Sequence, residues 1–297
     1  MFSQLWFLLL VPGLPLGLLI AWMLATAKKR ERQYRRPFDA MPRPAGYSLQ
    51  IRTAEISEKI GEDLMMCMVG GCVSWAIWLS DKSLIWVASI LGLIFCSVLA
   101  IRVKCRIITY FNHRLGLLGE QVVGLILDRL SSASIRVFHD LEVTEPGKKT
   151  WNIDHVVLTP AGVFAIETKT RRKPKETGTG GQVGHKVIYD GQQLIFPSSM
   201  QADRHGLQQA QGNADWLAGK LTDLNAAPIP VSPVLVLPGW WVEGKGKGSV
   251  AALNPKGLPS FLTGRPSIFS DKQFRALNAQ LEERCRIDLT RYLLPHK

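Results

Sequence analysis

The chain has 297 residues, and 36 Lys plus Arg against 24 Asp plus Glu give it a formal net charge of +12. Hydrophobic residues make up 46% and mean hydropathy is +0.07, so charge and apolarity are segregated along the chain; disorder is excluded by the apolar content, collagen-like and low-complexity architectures by 26 Gly and 17 Pro. Five Cys with no CxxC pair and no zinc spacing exclude a disulfide scaffold and read as inert thiols.

Leu5 to Leu24 is free of charge and long enough to cross a hydrocarbon core of roughly 30 Å as a helix. Pro12 and Pro15 are tolerated in such a helix. The competing reading is a cleaved signal peptide. Met1 to Gln4 carries no Lys or Arg, and no clear small-residue cleavage site precedes Lys28, which favours an uncleaved anchor.

Leu64 to Ser80 and Leu84 to Ile101 are separated only by Asp81, Lys82 and Ser83, and predict a helical hairpin. Both runs are apolar on all faces, as expected of two further membrane spans rather than of core helices. Nine basic residues lie between the first and second runs, from Lys28 to Lys59, and Arg102, Lys104, Arg106 and Arg114 follow the third. The positive-inside rule then places the N-terminus and the Asp81–Ser83 turn outside and everything after Arg102 in the cytoplasm. Lys28 to Arg36 reads as a topology signal and a contact for anionic lipid.

Ten basic and seven acidic residues precede Arg102, leaving 26 and 17 after that point, a net +9 for the remainder. Leu115 to Leu130 has helical apolar spacing. Ser134 to Val143, Asn152 to Leu158 and Val163 to Thr170 read as strands, the last two joined by the Thr159-Pro160-Ala161-Gly162 turn. Lys173 to Lys186 reads as an exposed loop, and Val187–Asp190 with Gln193–Phe196 as a small hairpin. Leu207 to Leu221 is helical again, Val231 to Leu237 a buried strand, and a last helix runs from the cap Ser270 to about Arg286. The class is α/β, a sheet with helices packed on it.

The second and third of these strands carry the chemistry. Glu167 and Lys169 alternate onto the same face, about 7 Å apart along the strand, and the tight turn lets Asp154 approach the same edge. Ionised groups at the end of an apolar strand lose hydration, and a bound Mg²⁺ held by Asp154 and Glu167 would compensate. Lys169 would orient a water and offset charge in the transition state of phosphoryl transfer. The bland alternative is a surface Glu–Lys pair, of little energetic weight. His155 points to the opposite face and reads as a packing residue. Trp240 and Trp241 could stack on bases, but directly after a buried strand they read as hydrophobic cover. Neither glycine-rich stretch fits GxxxxGK[ST], so a P-loop is excluded.

Gly119-Glu120, Ile153-Asp154-His155-Val156-Val157, Gly162 to Lys169 (Gly-Val-Phe-Ala-Ile-Glu-Thr-Lys) and Gln209-Ala210 occur in an order and spacing that resembles the nuclease-related domain (NERD) family. That family is a branch of the PD-(D/E)xK nuclease superfamily. The resemblance covers roughly Leu115 to Leu237. It implies a restriction-endonuclease-like core of helix, three strands, helix and strand, the same order as the elements above, and Mg²⁺- or Mn²⁺-dependent cleavage of nucleic acid. It also implies that Glu120 is a further acidic residue facing the metal and that Gln209 reaches the site from the second helix. Gln208 and Gln211 leave that register open, and His205-Gly206 stands where the family often has Asn-Pro.

Arg171, Arg172, Lys173 and Lys175 follow the Glu-x-Lys strand and suit non-specific, salt-sensitive phosphate contact. The expected organisation is a transmembrane helix (1–27), a basic cytoplasmic linker (28–63), a transmembrane hairpin (64–101), a juxtamembrane linker (102–114), the nuclease-like domain (115–237) and a C-terminal extension of the soluble domain with a terminal helix (238–297). The expected function is a membrane-anchored, Mg²⁺-dependent nuclease at the cytoplasmic face of a bacterial inner membrane, with DNA preferred over RNA. The alternatives are a catalytically silent nucleic-acid-binding module and a membrane scaffold protein.

Overall fold

The computed structural model describes residues 18–26, 29, 40–80, 83, 85–173, 185–197, 202–225 and 227–288. In chain order the elements are β1 (Ala40–Pro42), α1 (Tyr47–Ser80), α2 (Ile85–Asp128), β2 (Arg136–Val143), β3 (Trp151–Thr159), β4 (Gly162–Thr168), β5 (Lys186–Tyr189), β6 (Leu194–Ile195), β7 (Ala202–Asp203), α3 (His205–Asn225), β8 (Val231–Val236), β9 (Trp241–Gly244), β10 (Ala251–Leu253), α4 (Leu258–Thr263), α5 (Asp271–Arg284) and β11 (Arg286–Asp288). The chain divides into two units, Met1–Asp39 with Glu55–Tyr110, and Ala40–Ala54 with Phe111–Lys297.

In the first unit the expected helical hairpin forms, and small residues let its arms approach. A Cβ on Gly70 would lie 2.6 Å from the Phe95 ring, and one on Gly92 2.9 Å from Ser74 Oγ. Asp63, buried, pairs with Arg106 at 2.7 Å and Arg102 at 3.3 Å. The outward faces stay apolar, with Met65, Met68, Trp86 and Leu93 all exposed.

The expectation of three spans needs correction. Among the described residues one helix, Tyr47–Ile77, is long and apolar enough to cross a membrane, by length and composition. The run from Leu5 lies outside the described residues up to position 17, and residues 18–26 are helical. The third run is not a separate element but the start of α2, 44 residues long. Its apolar part, 85–101, falls short of the roughly 20 residues of a typical span. Residues 102–114, expected as a linker, are helical too, because they contain neither Pro nor Gly and charges alone do not stop a helix.

The second unit is built on a five-stranded sheet in the order β10-β8-β4-β3-β2. β2, β3 and β4 are antiparallel neighbours, whereas β8 runs parallel to β4 and β10 parallel to β8. Parallel pairing demands a crossover, and α3 supplies it between β4 and β8. The turn before β4 is as tight as expected. Thr159 faces Gly162 in register, Ala161 N donates to Thr159 Oγ1 at 3.1 Å, and Gly162 takes a φ of 149° that side chains disfavour.

Side-chain alternation sorts the core into two layers. Val163, Ala165, Val156 and Leu158 pack with Ala214 and Leu217 of α3 and Leu277 and Leu281 of α5. Phe164, Ile166 and Val157 pack on the other face with Val123 and Leu127 of α2 and Leu258 and Leu262 of α4. The mixed α/β architecture is compatible with a nuclease-like core.

One feature departs from the expected organisation. Residues 40–54 belong with the second unit: β1 pairs with β11, Ala40 opposite Asp288. The region after Pro238, expected as an extension of the soluble domain with a terminal helix, packs into it through α5, which fills one core layer. Its capping box is the one Ser270 suggested, with Gln273 as the reciprocal partner.

Candidate active site

The β3–β4 ladder ends at His155 opposite Ile166. One step further the Asp154 side chain takes over from backbone: its Oδ2 accepts from Thr168 N at 2.7 Å. Asp154 is thereby fixed at the strand end, where Glu167 and Lys169 also emerge. Lys169 N donates to Val236 O at 2.9 Å, which holds this segment to the end of β8.

Glu167 is 2% exposed. Its Oε1 lies 2.8 Å from Lys169 Nζ, and its Oε2 accepts from Asn213 Nδ2 at 3.0 Å. Lys169 Nζ also donates to Gln209 Oε1 at 2.9 Å. The structure thus resolves the glutamine register: Gln209 meets the lysine, Gln208 is exposed, and Gln211 bonds Asp215. Gly206, in the first turn of α3, allows this approach, because a Cβ there would lie 3.1 Å from Lys169 Cγ.

Glu120 reaches the cluster from α2. Burial pushes its carboxyl up to about 8, helped by Asp140 and Glu167 and opposed by Lys169 and Arg52. Burial, then Glu167 and Glu120, hold Asp154 well above the usual carboxylate range. Burial raises Glu167 as well, against the pull of Lys169, His205 and Asn213. For Lys169, burial acts downward but Glu167, Asp154 and Glu120 outweigh it, so its ammonium is held above the ordinary range. Three buried carboxylates therefore face the half-buried ammonium of Lys169, and the cluster lacks positive charge.

The donor chemistry fits a hard divalent cation. Glu120 Oε2 is buried with no hydrogen-bond partner, and Asp154 and Glu167 supply oxygens of the kind Mg²⁺ takes together with waters. Among the described residues no three His, Cys, Asp or Glu side chains form a metal-holding group on their own. Two carboxylates completed by water is the arrangement these residues can support.

Gly119 explains why glycine precedes Glu120. A Cβ there would overlap Thr170 Oγ1 and lie 3.0 Å from Thr170 Cβ, so only glycine lets α2 pass the strand end. Gly119→Ala is expected to destabilise the chain by about 1–3 kcal/mol through overpacking. Adding Thr170→Ala should restore most of that loss in a thermal melt. Equal melting of parent and Gly119→Ala would refute the contact.

The basic residues fare differently. Arg171 is paired with Asp203 and stacks over the Phe196 ring at 4.4 Å, whereas Arg172 and Lys173 are exposed. Lys175 lies outside the described residues. His155 does turn to the opposite face, where its Nδ1 meets His139 Nδ1 at 2.8 Å, and burial, with His139, lowers its basicity well below the ordinary value.

Sequence reasoning missed three groups around the cluster. Asn213 sits one helical turn after Gln209, a spacing that could have found it. Arg52 comes from the N-terminal arm. Asp140, fully buried and at a φ of 52°, accepts from Ser48 Oγ at 2.7 Å and from Asn152 Nδ2 at 2.8 Å. No sequence signal marks it.

No solved structure gives a significant match. A stretch of 54 residues is 39% identical to an uncharacterized protein of Bacillus anthracis, covering 18% of this chain and 26% of that protein. The chain thus spans about a quarter of that relative's length. Residues 115–238, which contain Glu120, Asp154, Glu167, Lys169 and Gln209, match the nuclease-related domain family.

Proposed function

We propose that the protein is a Mg²⁺-dependent nuclease that hydrolyses phosphodiester bonds of DNA. The observation that carries this is the linked set Asn213–Glu167–Lys169–Gln209 with Asp154 beside it, at one strand end within a nuclease-related domain. Asp154 and Glu167 would hold the metal with waters, and Glu120 would face it as a further acidic group without being a ligand. Mg²⁺ bound there supplies Lewis-acid polarisation of a phosphoryl oxygen and a lower pKa for a coordinated water. Lys169 holds a proton-donating ammonium beside the reacting phosphate and offsets charge as it develops. Gln209 fixes that ammonium and leaves its own amide N–H groups to touch the water or a phosphate oxygen. Arg172, Lys173 and Lys175 hold the backbone without reading sequence.

The exposed apolar faces of the hairpin and the flanking basic residues support a membrane-associated location, with the nuclease domain on the cytoplasmic side of a bacterial inner membrane. The full chain in detergent, given DNA or RNA with Mg²⁺ or Mn²⁺, should cut in a metal-dependent way that Glu167→Ala abolishes. Failure to cut any substrate, or cutting that survives the substitution, rejects the reading. One observation favours binding without hydrolysis: Lys169 already neutralises Glu167 directly. Salt-dependent DNA binding with no cleavage under any metal selects that second reading.

A further inference from the structure

Trp240 and Trp241 are neighbours with opposite placements, and the expectation that both are hydrophobic cover holds only for the first. Trp240 is 1% exposed. It donates its indole N–H to Arg171 O at 3.3 Å and meets Phe196 edge to face at a centroid distance of 5.0 Å. Strand alternation then turns the next side chain outward. Trp241 opens β9 and is 68% exposed.

Its neighbours are basic, and the turn that carries it is tied through Trp240 to the segment that follows Lys169. Arg171, which holds Trp240, is two residues beyond Lys169, and Trp240 N donates to Leu237 O at the end of the strand that also anchors Lys169. Lys186 is the register partner of Trp241 across the β5–β9 pair. Gly239 brings the turn against Lys173, whose Cε lies 3.5 Å from where a Cβ would be. Lys245 and Lys247 are exposed in the segment that follows. The nearby acids are already engaged, Glu243 with Lys186 and Asp203 with Arg171.

An exposed indole on a strand whose partner and following segment carry lysines matches one ligand chemistry, an unstacked base between phosphates. We propose that Trp241 is a base-stacking platform next to the active site and that it selects single-stranded nucleic acid, or an unpaired end, over duplex. The physical reason is that a paired base within a duplex has both faces covered and cannot offer one to an indole without being extruded. The lysines alone would not discriminate, since they meet phosphates in either form.

This inference rests on the nucleic-acid-directed site proposed above, and the test separates the two. The full chain in detergent with EDTA is titrated with an oligothymidine of about 15 nucleotides, near the upper site size of known single-strand folds, and with a duplex of the same length. Trp241→Ala should weaken binding of the single strand by about 5- to 150-fold, the range that stacking of one base provides. Trp241→Phe should keep most of the affinity, and the duplex should change by less than about 2-fold if it does not stack. Equal losses on both ligands, or no loss on the single strand, overturn the proposal. A chain that cuts DNA normally while Trp241→Ala binds like the parent rejects the stacking role alone. A chain that binds single strands through Trp241 but never cuts rejects hydrolysis alone.

Discussion

Asp154→Asn is expected to fold at least as stably as the parent and to lose metal-dependent cleavage by ~10²–10³-fold or more, the loss typical of removing one electrostatic catalytic group. The two halves follow from the same geometry. The backbone role of Asp154 is to accept from Thr168 N, which an asparagine oxygen performs equally well. Burial and the neighbouring Glu167 and Glu120 hold the carboxyl well above its ordinary range, so the folded state favours the neutral form that asparagine copies. At pH 8 the melting temperature should therefore be unchanged or raised. The anionic charge needed to hold a divalent cation is nevertheless gone. Cleavage at parental rate would show that Asp154 is a structural strand-end group and nothing more.

Glu167 and Lys169 make less clean tests because each is the other's main partner. Removing the ammonium leaves Glu167, 2% exposed, with only Asn213 to satisfy it, and breaking a buried pair from one side costs several kcal/mol. Loss of activity in Lys169→Met would then mix chemistry with folding. Asp154, held by a backbone donor rather than by a charge, avoids that ambiguity.

Those three residues were legible from the sequence because strand periodicity is exact. Glu167 and Lys169 had to share a face, His155 had to leave it, and a two-residue turn had to bring Asp154 to the same edge. Gln209 was legible only to within a turn, since helix spacing cannot choose among Gln208, Gln209 and Gln211 before the packing angle of α3 is known. Asp140 was invisible: its place follows from a left-handed backbone at one residue of β2, and no pattern of side chains encodes that. The arm from Ala40 to Ala54 was misassigned to a linker because β1 is three exposed residues long, too short for any hydrophobic period. Residues 102–114 were misread for a different reason. Their basic residues were read as topology signals that end a span, and the same residues are good helix formers.

Glu120 gives the other large expected effect, and it depends on pH. Its carboxyl is raised to about 8 by burial first and then by Asp140 and Glu167, against an unfolded value near 4.5. Between those two values the folded chain holds a proton that the unfolded chain has released, so stability must fall as pH rises through this window. Below the window both states are protonated and the term vanishes. Glu120→Gln removes the term, so its advantage over the parent should be small at pH 5 and reach roughly 3–5 kcal/mol above pH 8, from the energy of one unit per group. Thermal melts in EDTA at pH 5, 7 and 9 would measure it, and a difference that stays constant across pH would refute the assignment. Adding Mg²⁺ at pH 9 supplies the positive charge that the proton supplied at pH 5. The parent should then gain more stability from Mg²⁺ than Glu120→Gln does, and the gap between them should narrow. If Mg²⁺ shifts both chains equally, Glu120 faces no cation site, and its buried, unpartnered oxygen belongs to the packing of α2 alone.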